Sequence, residues 1–177
     1  MSIIHMLKVG AVFIALALAG CTSEFKDITV ATEASPTIDF DGYRSYAWAA
    51  AAAIVRDPER QWTPTNLDIG GEIMFLVDRE LRARGMTAAA HSPDVLVIYA
   101  VGVDMKALDV VVDPDDQTER FAQVPKGGLM IILADPDSRR VMWVGGALAD
   151  LAEEPTVELQ KKRLDYAITT MFKKFPH

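Results

Sequence analysis

The sequence predicts an α+β domain, a mostly antiparallel sheet of about five strands with two helices packed on one face, following a cleaved signal peptide. Three observations carry that expectation. Two segments, near 67–84 and 155–175, repeat apolar residues at helical spacing. The other apolar segments alternate, or run solid, as strands do. Their order is strand, strand, helix, three strands, helix, with a hairpin signal and no regular βαβ alternation.

Taken in order, Ile28, Val30 and Thr32 alternate with Asp27, Thr29 and Ala31 as in a half-buried strand, and Ser35-Pro36 breaks it. Asp39-Phe40-Asp41-Gly42 reads as a turn. Tyr46 and Trp48 then share one face of an extended segment, while Ala49 to Ala53 reads as a strand end or a short helical turn. A polar loop from Asp57 to Asn66 holds a lone Trp62. A helix is expected over about Leu67 to Arg84, capped by Thr65 or Asn66. Its stripe is Ile69, Ile73, Leu76, Val77 and Leu81, with Gly85 as its stop.

From Asp94 to Met105 apolar residues occupy both faces near the centre, the mark of a central strand. Asp109 to Lys126 reads as an acidic loop, and Gly127-Gly128 opens a second strong strand to Ala134. Asp135-Pro136-Asp137-Ser138 suits a type I turn leading into a strand from Val141 to Ala149. A final helix begins near Pro155, with Leu164, Ile168, Met171 and Phe175 spaced by four, three and four.

Composition supports one packed domain. The 177 residues are 50% hydrophobic and 24% charged, a globular balance. At the N-terminus Lys8 precedes an apolar run from Val9 to Ala19. Such a run rises about 16 Å as a helix, too short to cross a bilayer core. It fits a secretory signal. Leu18-Ala19-Gly20-Cys21 resembles the lipobox of bacterial lipoproteins, which implies cleavage before Cys21 and acylation of its thiol. Cys21 is the only cysteine, so no internal disulfide can form, and lipidation consumes the otherwise reactive thiol. More than one acyl chain gives stable anchoring.

The expected organisation is a signal peptide over 1–20, a tether over 21–26, and one domain over 27–177. Thr22 after the anchor, where Gram-negative lipoproteins kept at the inner membrane tend to carry aspartate, implies an outer-membrane location facing the periplasm. Because Lys8 is the only charge among the first twenty residues, removing them leaves 17 basic against 25 acidic side chains, a balance of −8. That argues against nucleic-acid binding and leaves membrane contact to the anchor.

The domain also resembles domain-of-unknown-function family 4136 of bacterial lipoproteins. The resemblance rests on Asp39 to Trp48, on Pro93 to Tyr99, on Gly128 through Asp135-Pro136 to Gly145, and on Phe172 to Pro176. Val144 stands where relatives often carry a basic residue, and the alanine run is also unusual. The family implies an architecture and an envelope location, and brings no catalytic residues.

Candidate chemistry is thin. The only histidines after residue 20 are His91 and His177, too few for a zinc site or an oriented base, and no nucleophile elbow, P-loop or dinucleotide fingerprint is present. The acidic group Asp113, Asp115, Asp116 and Glu119 lacks EF-hand spacing. No cofactor, metal or catalytic residue is expected. Trp62 serves as an interaction anchor or as local packing, and Arg139 and Arg140 as an anion or partner contact or as a solvated turn. Tyr46, Trp48 and Trp143 are expected to pack.

The leading expectation is a non-catalytic, lipid-anchored domain that binds a protein or envelope component through its sheet face or loops. The alternative is a carrier of a small apolar or amphipathic ligand in a cavity lined by Val97, Tyr99, Leu129, Ile131 and Trp143. A hydrolase built around His91 comes third.

Overall fold

A computed structural model describes residues 25–112, 114, 115, 117–152 and 155–176. Cys21, Thr22, Asp113, Asp116 and His177 lie outside the described residues. The elements are β1 (Thr29–Ala34), β2 (Ser45–Arg56), α1 (Ile69–Ala83), β3 (Thr87–Ala88), β4 (Val95–Val112), β5 (Glu119–Ala134), β6 (Val141–Asp150) and α2 (Val157–Lys173). The six strands form one sheet in the order β1-β6-β5-β4-β2-β3.

The α+β class and both helices stand as expected, but the sheet is mixed and has six strands. β1, β6, β5 and β4 pair antiparallel, whereas β2 runs parallel to both β4 and β3. The cause is α1, which carries the chain from the end of β2 back to its start, so the next strands must run in the same direction. Asp94 secures that crossing: one carboxylate oxygen accepts from the backbone N–H of Arg44 at 3.0 Å and of Ser45 at 2.8 Å, and from Ser45 Oγ at 2.8 Å. These donors, led by the Arg44 N–H, hold its carboxyl below the usual range.

Two further expectations are corrected. Ala49 to Ala53 is neither a strand end nor a helical turn but the middle of β2, paired with β4 as far as Arg56↔Asp104. Likewise 109–126 is not a loop. β4 and β5 continue as a two-stranded arm paired out to Val112↔Glu119. Val110, Val111, Val112, Phe121 and Val124 are strand formers, and this outweighs the acidic residues between them. Pro125 is tolerated because it faces the register shift between Asp104 and Ala107, where no ladder bond is lost.

The helices start slightly later than the pattern suggested. Asp68 caps α1 by accepting from Gly71 N at 3.0 Å, and Thr156 caps α2 by accepting from Leu159 N at 3.1 Å. Gly85, at φ +80°, ends α1 in a conformation that costs glycine little. Ile73, Leu76, Val77 and Leu81 of α1, and Ala167, Ile168, Met171 and Phe172 of α2, meet one face of the sheet through Val95, Val97, Ile131, Leu133 and Trp143. The Trp143 ring lies 5.2 Å from Phe172 and 5.3 Å from Phe175. Side chains of opposite parity on β4, β5 and β6 face away from both helices.

Candidate functional site

Two surfaces stand out, one on each side of the sheet. On the helix side, an apolar cleft of about 160 Å³ opens between the N-terminal half of α2 and the sheet. Val101, Gly127, Leu129, Ala147 and Ala149 form its floor, Ile69, Leu159 and Leu164 one wall, and Trp62, Ile28 and Leu151 its rim. The floor is open because Gly127, Ala147 and Ala149 lack bulk. A Cβ added at Gly127 would come within 3.3 Å of Leu151 Cδ2.

Ion pairs fix the polar rim. Arg163 donates to Asp27 from Nη1 at 3.1 Å and pairs with it again through Nη2, and it also reaches the Asp150 carbonyl at 3.1 Å. That guanidinium holds the Asp27 carboxyl below its ordinary range. On the opposite face of the sheet, away from the cleft, Lys126 bridges Asp109 and Asp150 at 2.5 Å each, which raises the lysine, chiefly through Asp109, and lowers Asp109. The rim charges therefore neutralise one another, and the interior remains apolar.

Trp62 belongs to this cleft. Asp57 holds it there, accepting from the Trp62 N–H at 2.7 Å and the Gln61 N–H at 3.0 Å, and these backbone donors, Trp62 first, lower the Asp57 carboxyl. Of the residues expected to line a cavity, only Leu129 does so. Val97, Ile131 and Trp143 are sealed in the core, and Tyr99 is buried with its ring edge-on to Trp48 at 5.9 Å. Tyr46 and Trp48 both donate to Asp78 of α1, at 2.8 and 3.0 Å. Burial, then Asp78, pushes the Tyr46 phenol up to about 12. These are packing roles.

On the other side, the sheet carries no helix. Ile54, Met130 and Leu148 stand exposed around a shallow apolar groove floored by Ala100, Gly128, Val144 and Gly146. The arm carries a separate exposed apolar surface beyond the helices: the residue inserted in β4 between Asp104 and Ala107 reverses its alternation while β5 keeps its own, so this surface continues the helix side of the sheet. Val110 pairs with Phe121, so Leu108, Val110, Val112 and Phe121 share one face of the ribbon, with Leu108 73% and Phe121 79% exposed. Reading 109–126 as a loop hid this face. The signal was the period-two repeat of Leu108, Val110 and Val112.

Arg139 and Arg140 sit in the β5–β6 turn, at the far end of β5 from the cleft. Asp135 organises that turn, accepting from Ser138 N at 2.6 Å and Ser138 Oγ at 2.7 Å, and both arginines are exposed. His91 is exposed in the loop before β4. Among the described residues no three His, Cys, Asp or Glu side chains gather where they could hold a metal ion, and no helix is long and apolar enough to cross a membrane.

The chain belongs to the DUF4136 family, a domain of unknown function, whose family model matches residues 30–177. A search of curated proteins finds no match. A DUF4136 family protein from Bacteroides thetaiotaomicron shares the fold at 11% identity and a TM-score of 0.51, covering 84% of this chain and 95% of that one. A PDZ domain protein from Parabacteroides distasonis shares it at 15% identity and a TM-score of 0.53, covering 85% of this chain but only 37% of its own. A minor lipoprotein from Acinetobacter baumannii is similar at 8% identity and a TM-score of 0.37, covering 75% of this chain and 91% of that one.

Proposed function

We propose that this protein is a non-catalytic lipoprotein domain, acylated at Cys21, held at the outer membrane facing the periplasm, that docks a protein of the cell envelope on its open sheet face. The observation that carries this reading is the exposed apolar groove bounded by Ile54, Met130 and Leu148 on the open sheet face. Contiguous apolar surface of this kind is uncommon on monomeric proteins and marks interaction sites. The lipobox and the acidic balance support the anchor and speak against nucleic acid.

The test compares the intact chain with Met130→Asp and Leu148→Asp in affinity retrieval from solubilised envelopes. Both variants should lose the same partner band while keeping their membrane fraction, and Cys21→Ser should move the protein into the soluble fraction. Retention of every partner by both aspartate variants contradicts the reading.

A second reading rests on the cleft, whose apolar interior and small-residue floor suit a carrier of a small apolar ligand. Native mass spectrometry of the purified protein should then show a co-purifying apolar species. Its consistent absence sinks that reading.

A further inference from the structure

The cleft lies where the chain leaves for its anchor. Ile28 forms part of the rim, the Phe25 ring stacks on Tyr166 of α2 at 4.8 Å, and the Asp27 carboxylate accepts from Arg163 and from the Asp150 N–H at 3.0 Å. Three contacts thus clamp the start of the domain to α2 and to the end of β6. Both of those elements also line the cleft.

Cys21 precedes Phe25 by four residues, and so short a segment spans at most about 14 Å even when extended. With Cys21 acylated and its chains in the bilayer, Phe25 is held within that distance of the membrane surface, with the rim residue Ile28 one turn further along, its N–H donating to the Phe25 carbonyl at 3.1 Å. We infer that the cleft receives one acyl chain of a membrane lipid, passed directly from the bilayer. This rests on the Cys21 anchor and on the carrier reading of the cleft. Direct passage matters because each CH₂ exposed to water costs about 0.8 kcal/mol.

Size and polarity define how much of the lipid enters. A cavity of about 160 Å³ is close to the apolar cavity of roughly 150 Å³ that accepts benzene, so a segment of about six carbons fits. Arg163 at the rim is already paired with Asp27, so the head group stays outside. The chains on Cys21 itself are not the occupants, because withdrawing one weakens an anchor that depends on several.

Trp62 on the rim is the reporter. The full anchored chain is reconstituted in phosphatidylcholine vesicles whose acyl chains carry bromine, which quenches tryptophan at close contact, with Trp62→Phe defining the share of Trp62 against Trp48 and Trp143. The Trp62 emission should be quenched. Ala149→Leu, which fills the floor, and Ala152→Phe, which fills the mouth from outside the sheet, should each lose most of that quenching while still floating with the vesicles. Undiminished quenching in both variants means that Trp62 touches the bilayer itself and overturns the inference.

A second arm adds 1-bromooctane to the Cys21→Ser chain without vesicles. Quenching of Trp62 there, with none by brominated vesicles, overturns delivery from the membrane and leaves the carrier reading standing. Absence of quenching in both arms overturns the two together.

Discussion

Trp143 and Leu148 lie five residues apart on β6 and on opposite faces of one sheet. Trp143 is 1% exposed beneath Phe172 and Phe175, whereas Leu148 is 61% exposed beside Met130. Both are large and apolar, so hydrophobicity alone does not separate a residue that holds the fold from one available to a partner. What separates them is the helices. α1 and α2 cover one face and stop short of the arm, and the apolar residues left over have no protein to pack against.

The contrast breaks most visibly at Trp143. Replacing it with alanine should cost about 3–5 kcal/mol in urea unfolding, since it removes a buried indole and leaves a cavity. A loss under about 1 kcal/mol would place Trp143 outside the core.

At the anchor end, Asp27→Asn should cost about 2 kcal/mol at neutral pH, as a charge-assisted pair with Arg163 is lost. The sign with pH follows from the lowered carboxyl. Its contribution is present above the unfolded value, about 4, and is lost as pH falls through the folded one. Wild type and Asp27→Asn should therefore converge in stability in strong acid. A gap that persists unchanged there contradicts the pair.

Tyr46→Phe should cost about 1 kcal/mol by removing the bond to Asp78. Because the folded phenol is raised to about 12, wild type should lose stability as pH climbs from about 10 to that value. The phenylalanine variant should lose less over the same range, as read by alkaline unfolding.

The smallest effect on stability belongs to the open side. Leu148→Ser and Ile54→Ser should stay within about 0.5 kcal/mol of wild type in unfolding. Their loss should appear instead in partner retention.

The helix stripes and the β5–β6 hairpin were legible because their signals are local: Ile73, Leu76, Val77 and Leu81 repeat at helical spacing, and Asp135 to Ser138 close a turn. The alanine run was not. Alanine prefers helix, and only pairing with β4, some fifty residues later, makes Ala50 to Ala53 a strand. The arm was missed because acidic density between Asp109 and Glu119 looks like a solvated loop, while a ribbon open to water on one face tolerates those charges. The cleft could not be read at all. It exists because Gly127, Ala147 and Ala149 lack bulk at one place, and convergence of small residues from separate strands leaves no linear pattern.

The central claim, that the bare face of the sheet is the working surface, is tested most directly by photocrosslinking in intact envelopes. A photoreactive residue is placed at Leu148 or Met130 on the bare side, or at exposed Lys162 on α2. Adducts of one common mass from Leu148 and Met130, with none from Lys162, are the predicted result. Adducts from Lys162 alone would contradict it.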